Sequence, residues 1–267
     1  MFKKALFYII FPALIITASC SQHQKLLKSQ DNELKYEKSI EYYEKGDYYK
    51  AIQLFESILP IYRGTNKAEK LYYYYAYAYY HESEFIMAAY YFKRFYSNFP
   101  SSQYTEEAAY MSAYCQYLDS PRYSLDQTNT YEAIDEFQIF INKYPYGDRA
   151  KEATGYIDEL RQKLQDKSYN IANLYYKMED YRAAIVSYES LLSDYPDSGY
   201  REEILYRIIK SYYQYAMKSI QVKQKERYES AVNAYLDFIS AYPDSEYFEE
   251  VQKMREKVRE KLQNSPS

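Results

Sequence analysis

Tryptophan is absent from this chain, and glycine and proline are scarce, with 5 and 8 copies in 267 residues. Tight turns and irregular loops draw on glycine and proline. Their scarcity argues against a strand-rich sandwich or barrel and for an all-α chain. Cysteine numbers 2, Cys20 and Cys115, which excludes a disulfide framework. Cys115, between Tyr114 and Gln116, reads as a small buried hydrophobe. Histidine also numbers 2, His23 and His81, and no His, Cys and carboxylate set has metal-ligand spacing. The chain carries no Gly-rich phosphate loop and no Gly-x-Ser-x-Gly elbow. The net charge of −4, with no dominant basic cluster, argues against a nucleic-acid partner. The acid pairs Glu106-Glu107, Glu202-Glu203 and Glu249-Glu250 open helices, where a helix dipole favours negative charge. The expectation is a binding scaffold and not an enzyme, with no metal and no cofactor.

Tyrosine is abundant, at 41 copies. The rings suit two uses: helix-packing mass with polar tips in water, and a contact surface that holds a peptide at low entropic cost. Both remain open at any one position. The stretch 70–104 shows the pattern in its clearest form. Tyr72, Tyr75, Ala76 and Tyr79 share one helix face, a polar turn follows, and Ala88, Phe92 and Phe95 share a face of the next helix before Pro100 stops it. This is a helical hairpin of about 34 residues, the size of a tetratricopeptide unit.

Further copies follow the same plan. The first unit runs from Asp31 to Arg63, with Gly46-Asp47 at its turn and Tyr48, Ala51 and Phe55 facing inward; Pro60 falls slightly early for the end of the unit. The third begins at Thr105, takes an insertion over 119–128, and resumes through Tyr131, Ala133, Phe137 and Phe140 to Tyr144-Pro145. The fourth starts near Gln165 and uses Ala172, Tyr175, Tyr181, Ala184, Tyr188 and Leu191. The fifth uses Leu205, Ile208, Ile209 and Tyr212, takes an insertion near Ser219–Lys225, and resumes through Tyr228, Ala231, Tyr235 and Phe238. The second-helix alanines 51, 88, 133, 184 and 231 mark the repeat. Turns and prolines interrupt the apolar period too often for a long coiled coil. The expected fold is a right-handed tetratricopeptide solenoid of five helical hairpins, closed by a charged capping helix over 247–262.

In this repeat class the first helices line the inner face. That register puts Tyr36, Ile40 and Tyr43 inward in unit one, and Tyr73, Tyr77, Tyr80 and His81 in unit two. It puts Tyr169, Asn173 and Tyr176 inward in unit four, and Tyr206, Lys210 and Tyr213 in unit five. The amino-terminal half is the more aromatic. The candidate peptide groove is therefore Tyr36, Tyr43, Tyr73, Tyr77, Tyr80 and His81.

The amino-terminus resembles a bacterial lipoprotein leader. Lys3 and Lys4 precede an apolar run over 5–16, too short to span a bilayer, and Thr17-Ala18-Ser19-Cys20 resembles a lipobox with Thr in place of the usual Leu. The resemblance implies cleavage before Cys20, with diacylglycerol on its sulfur and an acyl chain on its amino group. Removing Lys3 and Lys4 with the leader takes the net charge from −4 to −6. Ser21 and Gln22, rather than Asp, follow the cysteine and imply sorting to the outer membrane. The expected organisation is a leader over 1–19, a lipidated polar tether over 20–31, three repeats over 32–146 and two repeats with the cap over 147–267.

Five such repeats behind a lipobox resemble the BamD family. The stretches that carry the likeness are AAYYFKRFYSNFPSSQYTEEAAYMSAYCQY, LDQTNTYEAIDEFQIFINKYP and SYNIANLYYKMEDYRAAIVSYESLLSDYPDS. The resemblance implies a lipoprotein on the periplasmic face of the outer membrane, within the machinery that inserts β-barrels. The amino-terminal half would receive unfolded barrel precursors, and the carboxy-terminal half would dock on the POTRA domains of a BamA-like subunit. It also implies a docking arginine where this chain has Ser187, so that Lys177 or Arg182 would supply the charge, with Tyr206 and Lys210 beside them. A second reading keeps the fold and changes the partner, to a lipoprotein that scaffolds cell-wall or polysaccharide machinery.

Overall fold

A computed structural model describes residues 22–263. The lipidation site expected at Cys20 lies outside the described residues. A helical stretch at 22–27 precedes eleven longer helices, and no strand occurs among the described residues. These are α1 (Asn32–Glu44), α2 (Tyr48–Tyr62), α3 (Ala68–His81), α4 (Phe85–Asn98), α5 (Thr105–Asp119), α6 (Thr128–Lys143), α7 (Asp148–Lys177), α8 (Tyr181–Asp194), α9 (Arg201–Met217), α10 (Gln221–Ala241) and α11 (Phe248–Gln263). The fold class is an all-α, tetratricopeptide-like helical solenoid. The chain divides into two compact units, one of residues 22–121 and 126–160, the other of 122–125 and 161–263. The boundary between the units, at 160/161, falls inside α7, whose thirty residues contain no proline to break them; the division expected at 146/147 lies just ahead of that helix.

Each hairpin is set by its turn. Gly46 takes a φ of +77°, while Gly46 N–H donates to the Tyr43 carbonyl and Asp47 N–H to the Tyr42 carbonyl. This paired closure satisfies the last carbonyls of α1. Ser83 and Glu179 repeat it at φ +62° and +63° without glycine. The second helices stop where proline follows, because the preceding residue cannot stay helical. Phe99, Tyr144, Tyr195 and Tyr242 accordingly leave the helical region, with ψ between 60° and 73°. Pro60 does not stop α2, which runs on to Tyr62. Of the insertion expected near 219–225, residues 221–225 lengthen α10, which starts at Gln221 and whose Gln, Lys, Glu and Arg favour that state.

In the first unit α2 packs on α1 and α3, α4 on α3 and α5, and α6 on α5. The second-helix alanines are buried as expected, with Ala51, Ala88 and Ala133 at 0% exposure, and Phe55, Phe92, Phe95 and Phe137 fill the layers beside them. Tyr72 and Tyr75 are buried, and Tyr79 is half-buried, stacked on Tyr91. Ile40, expected on the inner surface, is part of this core.

In the second unit α9 packs on α8 and α10, and α11 closes the end. Val251, Met254 and Val258 are its buried stripe and its charged residues stay outside, as a cap requires. Tyr188 is fully buried and donates to Asn173. Tyr175, expected to pack, is exposed.

Candidate aromatic groove of the first unit

The first helices of unit 1 present two runs of aromatic contacts. Tyr43 of α1 stacks on Tyr74 of α3, with centroids 4.4 Å apart. Tyr73 lies 4.9 Å from Tyr77 and 4.5 Å from Tyr104. Tyr77 meets buried Phe92 edge-on at 4.8 Å, which fixes its ring against the core. His81 stacks on Tyr48 at 4.3 Å and touches Tyr80. Further along, Tyr114 and Tyr117 of α5 pack on Tyr156 of α7, and Tyr114 also stacks on Tyr110. The half-buried Tyr73, Tyr77 and Tyr80 keep part of each ring in solvent.

Carboxylates of the next first helix hold the phenols. Tyr77 donates to Glu107 at 2.6 Å, Tyr110 to Glu152 at 3.0 Å and Tyr117 to Glu159 at 2.6 Å. Burial raises the Tyr77 phenol far above its ordinary value, and the bond to Glu107 raises it further. Burial also lifts Tyr73, to about 12. Burial works against ionised Glu107, but hydrogen bonds from Tyr77 and Tyr73 and the charge of Arg149 outweigh it and hold its carboxyl below the usual range. Burial depresses His81, which favours the neutral ring. Each phenol donates inward and keeps acceptor lone pairs for a ligand.

A stability test follows from this bond. Tyr77→Phe should cost about 1 kcal/mol at pH 7, the value of a charge-assisted hydrogen bond discounted for partial exposure. Glu107 is depressed in the folded state, so its contribution is present at neutral pH and lost as pH falls through the carboxylate range. Urea midpoints of the two proteins should therefore converge below about pH 4.

Tyr43, Tyr73, Tyr77, Tyr80 and His81 come together as the first-helix register predicts. Tyr36 does not join them. It packs on Tyr62 at the other end of α1, with the Lys67 ammonium 4.6 Å from its ring. Tyr74, Tyr104, Tyr114, Tyr156 and Glu107 belong to the surface and were missed. The spacing of 74, 77 and 81, and of 110, 114 and 117, carried that signal.

The docking residues separate. Lys177 and Arg182 are exposed and form no salt bridge among the described residues. Tyr206 is only 5% exposed, stacked on Tyr247 at 4.2 Å, with Lys210 and Glu250 on its hydroxyl. Its ring is covered by the segment leading into α11 and offers no surface to a partner. Tyr169 is likewise stacked on Tyr200 and Tyr176 set edge-on to Tyr181, inside unit 2. No His, Cys, Asp and Glu group that could hold a metal ion occurs among the described residues, and no described helix is long and apolar enough to cross a membrane.

A family model described as "YfiO: Outer membrane lipoprotein" matches residues 28–228. The chain is 30% identical over 105 residues to the outer membrane protein assembly factor BamD of Rickettsia prowazekii, covering 39% of this chain and 42% of that protein. It is 28% identical over 200 residues to a putative BamD of Aquifex aeolicus, covering 74% and 65%. It is 22% identical over 230 residues to BamD of Pasteurella multocida, covering 82% and 88%. The first two matches span less than two thirds of those relatives. A solved complex of the TPR2AB domain of yeast Sti1 is similar at 12% identity and a TM-score of 0.39, covering 85% of this chain and 98% of that one.

Proposed function

Because this chain belongs to the YfiO family of outer membrane lipoproteins, we propose that it is an outer-membrane protein assembly factor: a lipid-anchored scaffold on the periplasmic face that receives unfolded β-barrel precursors and docks on a BamA-like subunit. The aromatic surface of unit 1 carries this reading. An extended strand bearing spaced aromatic residues would lay its rings against Tyr73, Tyr77 and Tyr80 while its backbone N–H groups donate to phenol oxygens. Glu107, Glu152 and Glu159 orient Tyr77, Tyr110 and Tyr117 beforehand, so little side-chain entropy is lost on binding. Unit 2 closes its own aromatic contacts and leaves Lys177 and Arg182 as free cations, which suit an acidic patch on POTRA domains. The lipid on Cys20 would be diacylglycerol with an N-acyl chain.

A photo-crosslinker at Tyr73, Tyr77 or Tyr80 should capture a barrel carboxy-terminal peptide, and capture only by probes in 161–263 overturns the groove. Mild-detergent purification should recover a barrel-insertion subunit. Recovery of wall or polysaccharide enzymes in its place would replace this reading with the other scaffold.

A further inference from the structure

The segment expected to be a free polar tether is docked. Residues 22–27 are helical, and His23, Leu26 and Leu27 recur at the spacing that shares one helix face. His23 is only 4% exposed. Its Nε2 lies 2.7 Å from Gln53 Oε1 on α2, and its ring meets Tyr42 of α1 edge-on at 5.5 Å. Tyr42 lies in the last turn of α1 and Gln53 in the second turn of α2, so this contact sits toward the turn end of the first hairpin.

Cys20 precedes His23 by three residues. A chain spans at most about 3.6 Å per residue, so the two Cα atoms can be no more than about 11 Å apart. A free segment over 21–31 would reach up to about 40 Å, nearly four times as far. The geometry points to His23 as a lock that fastens the lipid-bearing end of the chain to the first hairpin, with the bilayer surface as the partner of the hairpin's turn edge. This rests on the reading of Cys20 as acylated. The edge suits an interface between water and lipid: Tyr49 is 62% exposed there, and Lys45, at the same turn, is exposed and paired with Glu41. The lock holds unit 1 at the membrane in one orientation, instead of letting it swing at the end of a linker.

The full lipidated chain in phosphatidylethanolamine–phosphatidylglycerol vesicles tests this with trypsin, which can cut after the exposed Lys25 and Lys28. Cleavage of a docked segment waits for local opening. The native protein should be cut there slowly, and His23→Ala and Gln53→Leu should each be cut about tenfold faster, with the thermal midpoint of the body unchanged. Equal rates overturn the lock. The absence of tryptophan provides the second readout. Tyr49→Trp is then the only indole, and a headgroup-nitroxide lipid should quench it strongly with His23 present and several-fold less in His23→Ala. Absent or equal quenching overturns the membrane edge. If the protein does not sediment with vesicles before trypsin, the lipid-anchor reading fails, and the cleavage rates in solution still decide the lock.

Discussion

Phe92→Ala lowers the stability of unit 1 by about 3–5 kcal/mol, while Tyr90→Ala two positions away changes it by less than about 0.5 kcal/mol. Phe92 is fully buried, and Tyr90 is half in solvent. The phenyl ring sits on the buried face of α4 with Ala88 and Phe95 and supports Tyr77 edge-on. Its removal opens a cavity that rigid helix backbones cannot close. Repeat arrays draw stability from nearest-neighbour interfaces, so the loss is felt first in the adjoining hairpins. Urea unfolding followed by tyrosine fluorescence reads the shift. The same variant should weaken peptide capture at Tyr77, because its ring loses the wall that positions it. A midpoint shift equal to that of Tyr90→Ala would show that Phe92 is not a packing centre.

Cys20→Ala moves the protein from the membrane to the soluble periplasmic fraction, by more than about a hundredfold in partition. Each buried methylene of an acyl chain contributes about 0.8 kcal/mol, and two or more chains hold a protein durably where one does not. No described helix offers a substitute anchor. The fold should be untouched, since the core begins downstream. Retention at the native level would place the anchor elsewhere. Paired with His23→Ala, the variant separates attachment from orientation: the first releases the protein, and the second leaves it attached and loosened.

The tyrosine content has a structural account. Tyr77, Tyr110 and Tyr206 each reach a carboxylate in the first two turns of the following first helix or of the cap, and Tyr117 reaches Glu159 about three turns into α7. Glu107 and Glu250 belong to the acid pairs that open α5 and α11, so these acids complement the helix dipole and also accept a phenol. The dipole role was legible from their place after each Pro-Ser turn. The second role was not, because it depends on which neighbouring tyrosine lies opposite. A ring that packs and a hydroxyl that bonds across the repeat explain why tyrosine is used here, where phenylalanine would take a hydrogen bond from each of these carboxylates.

The sequence by itself determined the all-α class, the hairpin repeat and the apolar faces of α3 and α4. Those follow from a 3.6-residue period and from the turns and prolines that close most of the second helices, Pro60 excepted. It also separated Tyr72 and Tyr75 from Tyr73, Tyr77 and Tyr80, since residues on one helix cannot change face. Only the tertiary structure decided that Tyr36 leaves the groove for Tyr62, that Tyr206 disappears beneath Tyr247, and that His23 ties down the segment read as a tether. Each of these depends on a partner 19 or more residues away. A periodicity names the face a side chain occupies, and only the assembled neighbours determine whether that face meets water or another ring.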